Sequence, residues 1–229
     1  MSKGFSSSSV GRKILMALSG FFLMFFLLQH LAINTLSVIS SDMFNEVSHF
    51  MGTNPLVQFA LQPVLIFSVC FHLAMGIYLD LKNKQARPVG YVMSRPGENS
   101  SWVSRNMIIT GVTVMLFLGL HFYDFWIPEI NTKFIEGDMT GLLVNGEGFR
   151  YYEELQHKFV DVWRVALYIF SFVFLSLHLM HGFQSSFQSV GFNRNKYTPI
   201  LKKMGTLYAI LIPLGFIFIA IFHFINSSH

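Results

Sequence analysis

Charge is scarce in this chain of 229 residues. Only 12% of them are Asp, Glu, Lys or Arg, about half the share of an average soluble domain. Hydrophobic residues make up 52%, Phe alone occurs 26 times, and the mean hydropathy is +0.49. A soluble globule of this size could not cover so much apolar surface, because most of its residues would still face water. A soluble enzyme and a disordered chain are thereby excluded. Cysteine is almost missing too. Cys70 is the single one, so no disulfide forms within the chain and a disulfide scaffold is excluded. No Cys-x-x-Cys-His motif occurs, which excludes covalently attached haem of the c type.

What is abundant is long apolar runs. A helix needs about 20 apolar residues to cross a bilayer. Five stretches reach that length: about 14–40, 56–81, 107–127, 160–184 and 205–225. Each is too long for a barrel strand and does not alternate with period two. The expectation is an all-α integral membrane bundle of five transmembrane helices forming one domain over 1–229, with no separate soluble domain and no internal repeat. The first run is longer than the apolar core of a cleaved signal peptide and is read as a retained span. Twelve of the 16 basic residues lie before the first span, between the second and third, or between the fourth and fifth. The other side carries Asp42, Glu46 and the acidic residues of a long loop over about 128–157 that is expected to fold over the outer mouth. The positive-inside rule then puts the N-terminus in the cytoplasm and the C-terminus outside. The formal net charge of +4 follows from topology, and no nucleic-acid recognition motif accompanies it.

Five of the nine histidines fall inside spans: His30, His72, His121, His178 and His181. Ionisable groups at membrane depth are costly and mark functional sites or interhelical hydrogen bonds. His30 lies 17 residues beyond Lys13 and His121 lies 16 beyond Arg105, about 25 Å from the inner surface at 1.5 Å per residue. His72 lies ten residues before Lys82, about 15 Å from that surface. His178 lies 16 residues before Arg194, on a fourth helix whose end is expected to project beyond the bilayer, and is placed with His72 in the inner half. The first and third spans thus offer an outer pair, and the second and fourth an inner pair. Two histidines on facing helices can take both axial positions of one haem iron. Zinc would want three or four ligands at one depth, and a proton relay would want carboxylates in the mid-membrane stretches, where none is read. The pattern is that of two stacked bis-histidine b haems.

Small residues accompany these histidines. Gly76 follows His72 by four residues and Gly182 follows His178 by four. A four-residue step returns to the same helix face, where glycine leaves a notch for a porphyrin or for a neighbouring helix. Gly20 and Gly111 are similar notches on the first and third spans. His181 shares much of the His178 face and is the alternative inner ligand. His178 is preferred for its glycine at plus four. His49, His157, His223 and His229 are read as loop residues and non-ligands.

At this point the chain resembles the single-chain, five-helix, di-haem cytochrome b membrane anchors of succinate:menaquinone oxidoreductases and fumarate reductases. The resemblance rests on the order of His30, His72, His121 and His178, on Ser19-Gly20, and on Thr110-Gly111 followed by Leu118-Gly119-Leu120-His121-Phe122-Tyr123. Trp163, Leu167-Tyr168, Ser176-Leu177-His178 and Gly191 add to it. It implies a multi-pass subunit of the bacterial inner (cytoplasmic) membrane, serving the respiratory chain and the tricarboxylic acid cycle. Its partners would be a flavoprotein (FAD) subunit and an iron–sulfur subunit on the cytoplasmic side. Electrons from succinate would pass through an inner haem on His72 and His178 and an outer haem on His30 and His121 to menaquinone. The dicarboxylate chemistry would lie on another subunit. Some fumarate-reducing members carry a glutamate two residues before the fourth-span ligand. Ser176 stands there, which favours succinate oxidation.

Haem propionates need cationic or hydrogen-bonding partners. Lys158 and Arg164 are the outer candidates, with Asp161 a partner for Arg164. Arg105, Arg12 and Ser19 are the inner ones. All the basic groups among them also suit snorkelling to headgroups. Quinone reduction needs protons delivered beside an apolar slot. Glu46, His49, Gln58 and Gln62 are the candidates, Glu46 favoured by the resemblance. The basic loops 82–105 and 194–203 suit docking of an iron–sulfur subunit. The competing readings are a di-haem cytochrome b of a formate dehydrogenase or hydrogenase, and a haem-free transporter. The histidine order speaks against the first and the unbroken spans against the second.

Overall fold

A computed structural model describes residues 8–85, 106–143, 146–192 and 196–227. Its elements are helices: α1 Ser9–Ile39, α2 Ser41–Thr53, α3 Val57–Gln85, α4 Met107–Ile135, α5 Tyr151–Lys158, α6 Val162–Ser189 and α7 Thr198–Ser227. Among the described residues the only extended pairing is an isolated bridge between Leu142 and Phe149. Helices α1, α3, α4, α6 and α7 are each long and apolar enough to cross a membrane. They outrun the expected spans at one or both ends because polar first and last turns continue the hydrogen-bond ladder beyond the apolar stretch.

Local chemistry sets the boundaries. Ser8 opens α1 by accepting from the Gly11 amide at 2.9 Å. Ser40 closes α1 in an extended conformation and caps α2 by accepting from Met43. A serine between two apolar runs thus turns the chain into a short second helix. Asp161 caps α6 through the Trp163 amide at 3.0 Å.

Two helices widen into π turns, at Val57–Leu61 in α3 and at Phe122–Trp126 and Asn131–Ile135 in α4. After the first two a proline follows two residues later, Pro63 and Pro128. Proline has no amide hydrogen and its ring crowds the carbonyl four residues back, here that of Phe59 or Asp124. The wider turn takes up that misfit. The expected 128–157 loop is therefore a correction: its first residues extend α4 to Ile135, and Tyr151–Lys158 is helical.

The core sits between α6 and α7. Val165, Tyr168, Phe172, Leu175, Leu179 and Phe183 form a buried stripe at steps of three and four along α6. Gly205, Ala209, Ile212, Phe216 and Ala220 answer it along α7. A Cβ on Gly205 would stand 2.8 Å from the Phe183 ring, and one on Gly215 would stand 2.9 Å from Leu31 of α1. Those two glycines let α7 close onto both neighbours. Helix α1 packs on α6, α7 and α3, and α4 packs chiefly on α6. Helix α3 has no buried residue, so its apolar side chains answer to a surrounding apolar phase.

Candidate functional site: two facing histidine pairs

The lower end of the site begins at Ser19 in α1. Its single hydroxyl proton is donated to the Met16 carbonyl at 2.8 Å, as serine does inside helices. The oxygen is left to accept, and the His72 Nδ1 of α3 lies 2.9 Å away. His72 therefore carries its proton on Nδ1, and the Nε2 lone pair is unshared. Thr110 in α4 repeats the device. It donates to the Met107 carbonyl at 2.9 Å and accepts from His178 Nδ1 of α6 at 3.3 Å. The two rings face each other with centroids 6.4 Å apart and planes at 71°. His181, one turn further on, is half-buried, and the ring that faces His72 is that of His178.

The second pair lies eleven residues along α1 from Ser19, about 16 Å at 1.5 Å per residue. His30 of α1 and His121 of α4 have centroids 5.7 Å apart and planes at 82°. Their surroundings are aromatic. Phe26 and Phe216 flank His30, and Phe117 and Phe125 flank His121. Asn34 Nδ2 is nearly equidistant from the two ring nitrogens of His30, at 3.4 and 3.5 Å, and donates to the His30 carbonyl at 2.8 Å. That places the amide beside the ring without fixing a tautomer. His121 Nδ1 is buried with no hydrogen-bond partner.

Both separations suit one iron between each pair. A metal–imidazole bond of about 2 Å on each side puts opposed ring centres about 6 Å apart. Among the described residues no three of His, Cys, Asp and Glu converge on a point, and each level offers a facing pair of imidazoles. Gly20 and Gly111 lie against these rings: a Cβ would meet His72 Cε1 at 3.6 Å and His178 Cε1 at 3.5 Å. Gly76 and Gly182 are covered by the methyl groups of Met16 and Met107, 3.5 and 3.6 Å from an added Cβ.

These contacts expose a repeat that the sequence analysis missed. Met16, Ser19-Gly20 and His30 recur as Met107, Thr110-Gly111 and His121 at identical spacing. His72-Leu73 with Gly76 recurs as His178-Leu179 with Gly182. The residues between them differ widely, so overall similarity is low. The signal was the spacing of the small and polar positions, including Thr110.

Several expected partners change. Arg164 pairs with Asp124 of α4; Asp161, expected to pair with it, is occupied in capping α6. Asp124 is fully buried, and it also accepts from the Tyr168 hydroxyl at 2.8 Å. Asp124 stands in the π turn three residues past His121, near the end of the expected third span, and no role was expected for it. His223 is no loop residue. It is buried in α7, with Nε2 2.8 Å from Ser37 Oγ and Nδ1 unpartnered. Lys158 ends α5 half-buried, and the Arg12 guanidinium lies over the Tyr78 ring of α3 at 5.5 Å. Arg105, His229 and most of the loop 82–105 lie outside the described residues.

At the end of the bundle beyond His30 and His121, a second polar cluster joins α2, α4 and α5. Glu129 bonds Lys133 and Arg150, each at 2.5 Å, and Arg150 also bonds Glu154 at 2.5 Å. The Lys133 side chain is 1% exposed and also donates to the Gly52 carbonyl. Burial works against the Arg150 charge, but the two glutamates outweigh it and raise its pKa. Tyr151 is pushed up to about 12 by burial and by Glu129. His49 stacks on Phe149 at 4.1 Å, and burial, then Lys133, lower its pKa below 6.5. A cavity of about 240 Å³ opens beside the cluster, lined by Gly52, Thr53, Gln58, Phe59, Lys133, Phe134 and Met139. Of the four quinone candidates, Gln58 lines it. His49 lies one turn before Gly52 and Thr53, Gln62 one turn beyond Gln58, and Glu46 is exposed on α2.

Residues 6–87 match the family of succinate dehydrogenase/fumarate reductase transmembrane subunits. The chain is similar to the succinate dehydrogenase cytochrome b558 subunit of Bacillus subtilis (strain 168), with 27% identity over 101 residues. That match takes in 43% of this chain and 46% of the relative, so it spans a little under half of each. No solved structure matches.

Proposed function

We propose that the chain is a membrane-anchor subunit of a succinate dehydrogenase, a succinate:menaquinone oxidoreductase, and carries electrons from an iron–sulfur subunit to menaquinone. The observation that carries this reading is the double one: two pairs of histidines face each other across four apolar helices, at ring separations of 6.4 and 5.7 Å. His72 with His178 would hold one b haem, and His30 with His121 the other. The bound haems supply reversible one-electron carriage. This chain's own part is to hold the imidazoles and to keep bulk water away with the aromatic wall around His30 and His121. The match of residues 6–87 to the succinate dehydrogenase/fumarate reductase anchors supports the partners: a flavoprotein that handles the dicarboxylate and an iron–sulfur subunit.

The orientation follows the positive-inside rule, with the N-terminus and the His72 end toward the cytoplasm of a bacterial inner membrane. The chain is then one cytochrome domain over 1–229. Quinone would bind at the opposite end, in the cavity beside Lys133 and Gln58. Two of the Lys133 protons go to Glu129 and Gly52, which leaves a third to meet a quinone carbonyl. Ser176 in place of an acidic residue favours the succinate-oxidising direction.

The test is purification from the native membrane. The pyridine haemochrome spectrum is expected to show two b haems per chain, reducible by succinate in a preparation that retains a flavoprotein. An intact preparation without haem overturns the electron-carrier reading. Two haems alongside a flavoprotein that oxidises another donor overturns the choice of dehydrogenase.

A further inference from the structure

The bonds from His72 and His178 to hydroxyls are made in one way from two different helices. Ser19 and Thr110 each spend their only proton on a carbonyl three residues back, at 2.8 and 2.9 Å. Each can therefore only accept from the imidazole, at 2.9 and 3.3 Å. Both hydroxyl-bearing residues are buried, so water does not compete for the ring proton. The glycine that follows each one lies against the same imidazole, where a Cβ would come within 3.6 and 3.5 Å of Cε1. Among the described residues neither His30 nor His121 has such an acceptor: Asn34 reaches His30 with donor hydrogens, and His121 Nδ1 is unpartnered.

We propose that Ser19 and Thr110 are a matched pair of positioning residues that hold His72 and His178 in the Nδ1–H form and set the reduction potential of the haem between them, leaving the His30–His121 haem untouched. The inference rests on the haem reading above. An acceptor on the far nitrogen fixes the tautomer, turns the Nε2 lone pair toward the metal and makes the imidazole a stronger donor. A stronger donor favours ferric over ferrous iron. Loss of the acceptor therefore moves the potential of that haem upward. Thr110 holds the longer bond, so its contribution is the smaller of the two.

The test is potentiometric titration of the haem α-band in the purified full chain, with low-temperature EPR of both ferric haems. T110V removes the hydroxyl at nearly constant shape, T110S keeps the hydroxyl, and S19A removes the other acceptor. T110V and S19A are expected to raise the potential of one haem and change its EPR signal, S19A by more. The second haem stays where it is, and T110S returns the first toward the parent value. Loss of one haem in T110V but not in T110S also assigns the hold on His178 to the hydroxyl, since valine differs from the parent threonine at that group alone and serine keeps it. Unchanged potentials in T110V and S19A at full haem content overturn the proposal. So does an equal shift of both haems, or a T110S effect as large as that of T110V. Haem content of the parent chain is read first: two haems with no potential shift sinks this inference alone, whereas no haem sinks the reading beneath it.

Discussion

The two histidine pairs stand on different helices, His72 and His178 on α3 and α6, His30 and His121 on α1 and α4, and they differ in what surrounds them. At the His72–His178 level, each ring is tied by Nδ1 to a hydroxyl of a neighbouring helix, and a glycine backs it. At the His30–His121 level the rings sit among Phe side chains, next to a buried ion pair. The first environment fixes orientation by directed hydrogen bonds, and the second by packing and by rigidity one turn away. A facing pair of imidazoles can thus be held by polar or by apolar means, and the two ends should respond to different substitutions.

The largest effect separates the ends outright. H72A or H178A is expected to lower haem content from two per chain to one, and H30A or H121A to remove the other haem; H181A keeps both. Haemochrome content and the split of the α-band read this, and loss of both haems in every variant would erase the distinction between the levels. Next comes the ion pair that belongs to one end only. D124N strands the Arg164 guanidinium and loses a charge-assisted acceptor for Tyr168. Breaking a largely buried pair from one side costs about 3 kcal/mol. D161N costs almost nothing, because asparagine caps a helix as well as aspartate. Thermal midpoints in detergent are expected to fall clearly for D124N and not for D161N. The reverse order would mean that Arg164 uses Asp161 after all.

The smallest effect is a pH dependence confined to the cap beyond His30 and His121. Burial first, then Lys133, lowers the His49 pKa below 6.5, with Glu129 pulling the other way. The facing charged groups, Lys133, Glu129, Arg150 and Glu154, form a self-compensating set. A histidine with a lowered folded pKa binds fewer protons in the folded state than in the unfolded one. Its contribution to stability is present in full above about pH 6.5 and is lost as pH falls toward the lowered value. H49Q is expected to flatten the decline of the thermal midpoint between about pH 7.5 and 5. An unchanged slope would remove His49 from the account.

Much of this arrangement was legible along the chain. The spans follow from run length alone. Counting residues from the basic flanks separates His72 from His30 and His121; His178, 16 residues before Arg194, gives the same count as His121, and its place opposite His72 depends on the fold. Other features were not legible because they depend on helix rotation. Arg164 lies three residues from Asp161 and 40 from Asp124, and proximity in sequence favours the wrong partner. The more distant carboxylate stands in the π turn ahead of Pro128, where it is buried. His223 lies only two residues inside the expected end of the fifth span at about 225, and run length alone gives such an end residue no partner. Its role as partner of Ser37 needs α7 laid against α1, through the close approach at Gly215.

The sequence by itself determined that the chain is helical, that five segments can cross an apolar phase, and that histidines stand at two depths. These are local matters of run length, period and rise per residue. Only the tertiary structure decided which faces meet. The hydroxyls of Ser19 and Thr110, the glycines behind them and the burial of Asp124 depend on the azimuth of each helix about its own axis. That azimuth is set by interlocking side chains from different helices, and no single segment of the chain contains it.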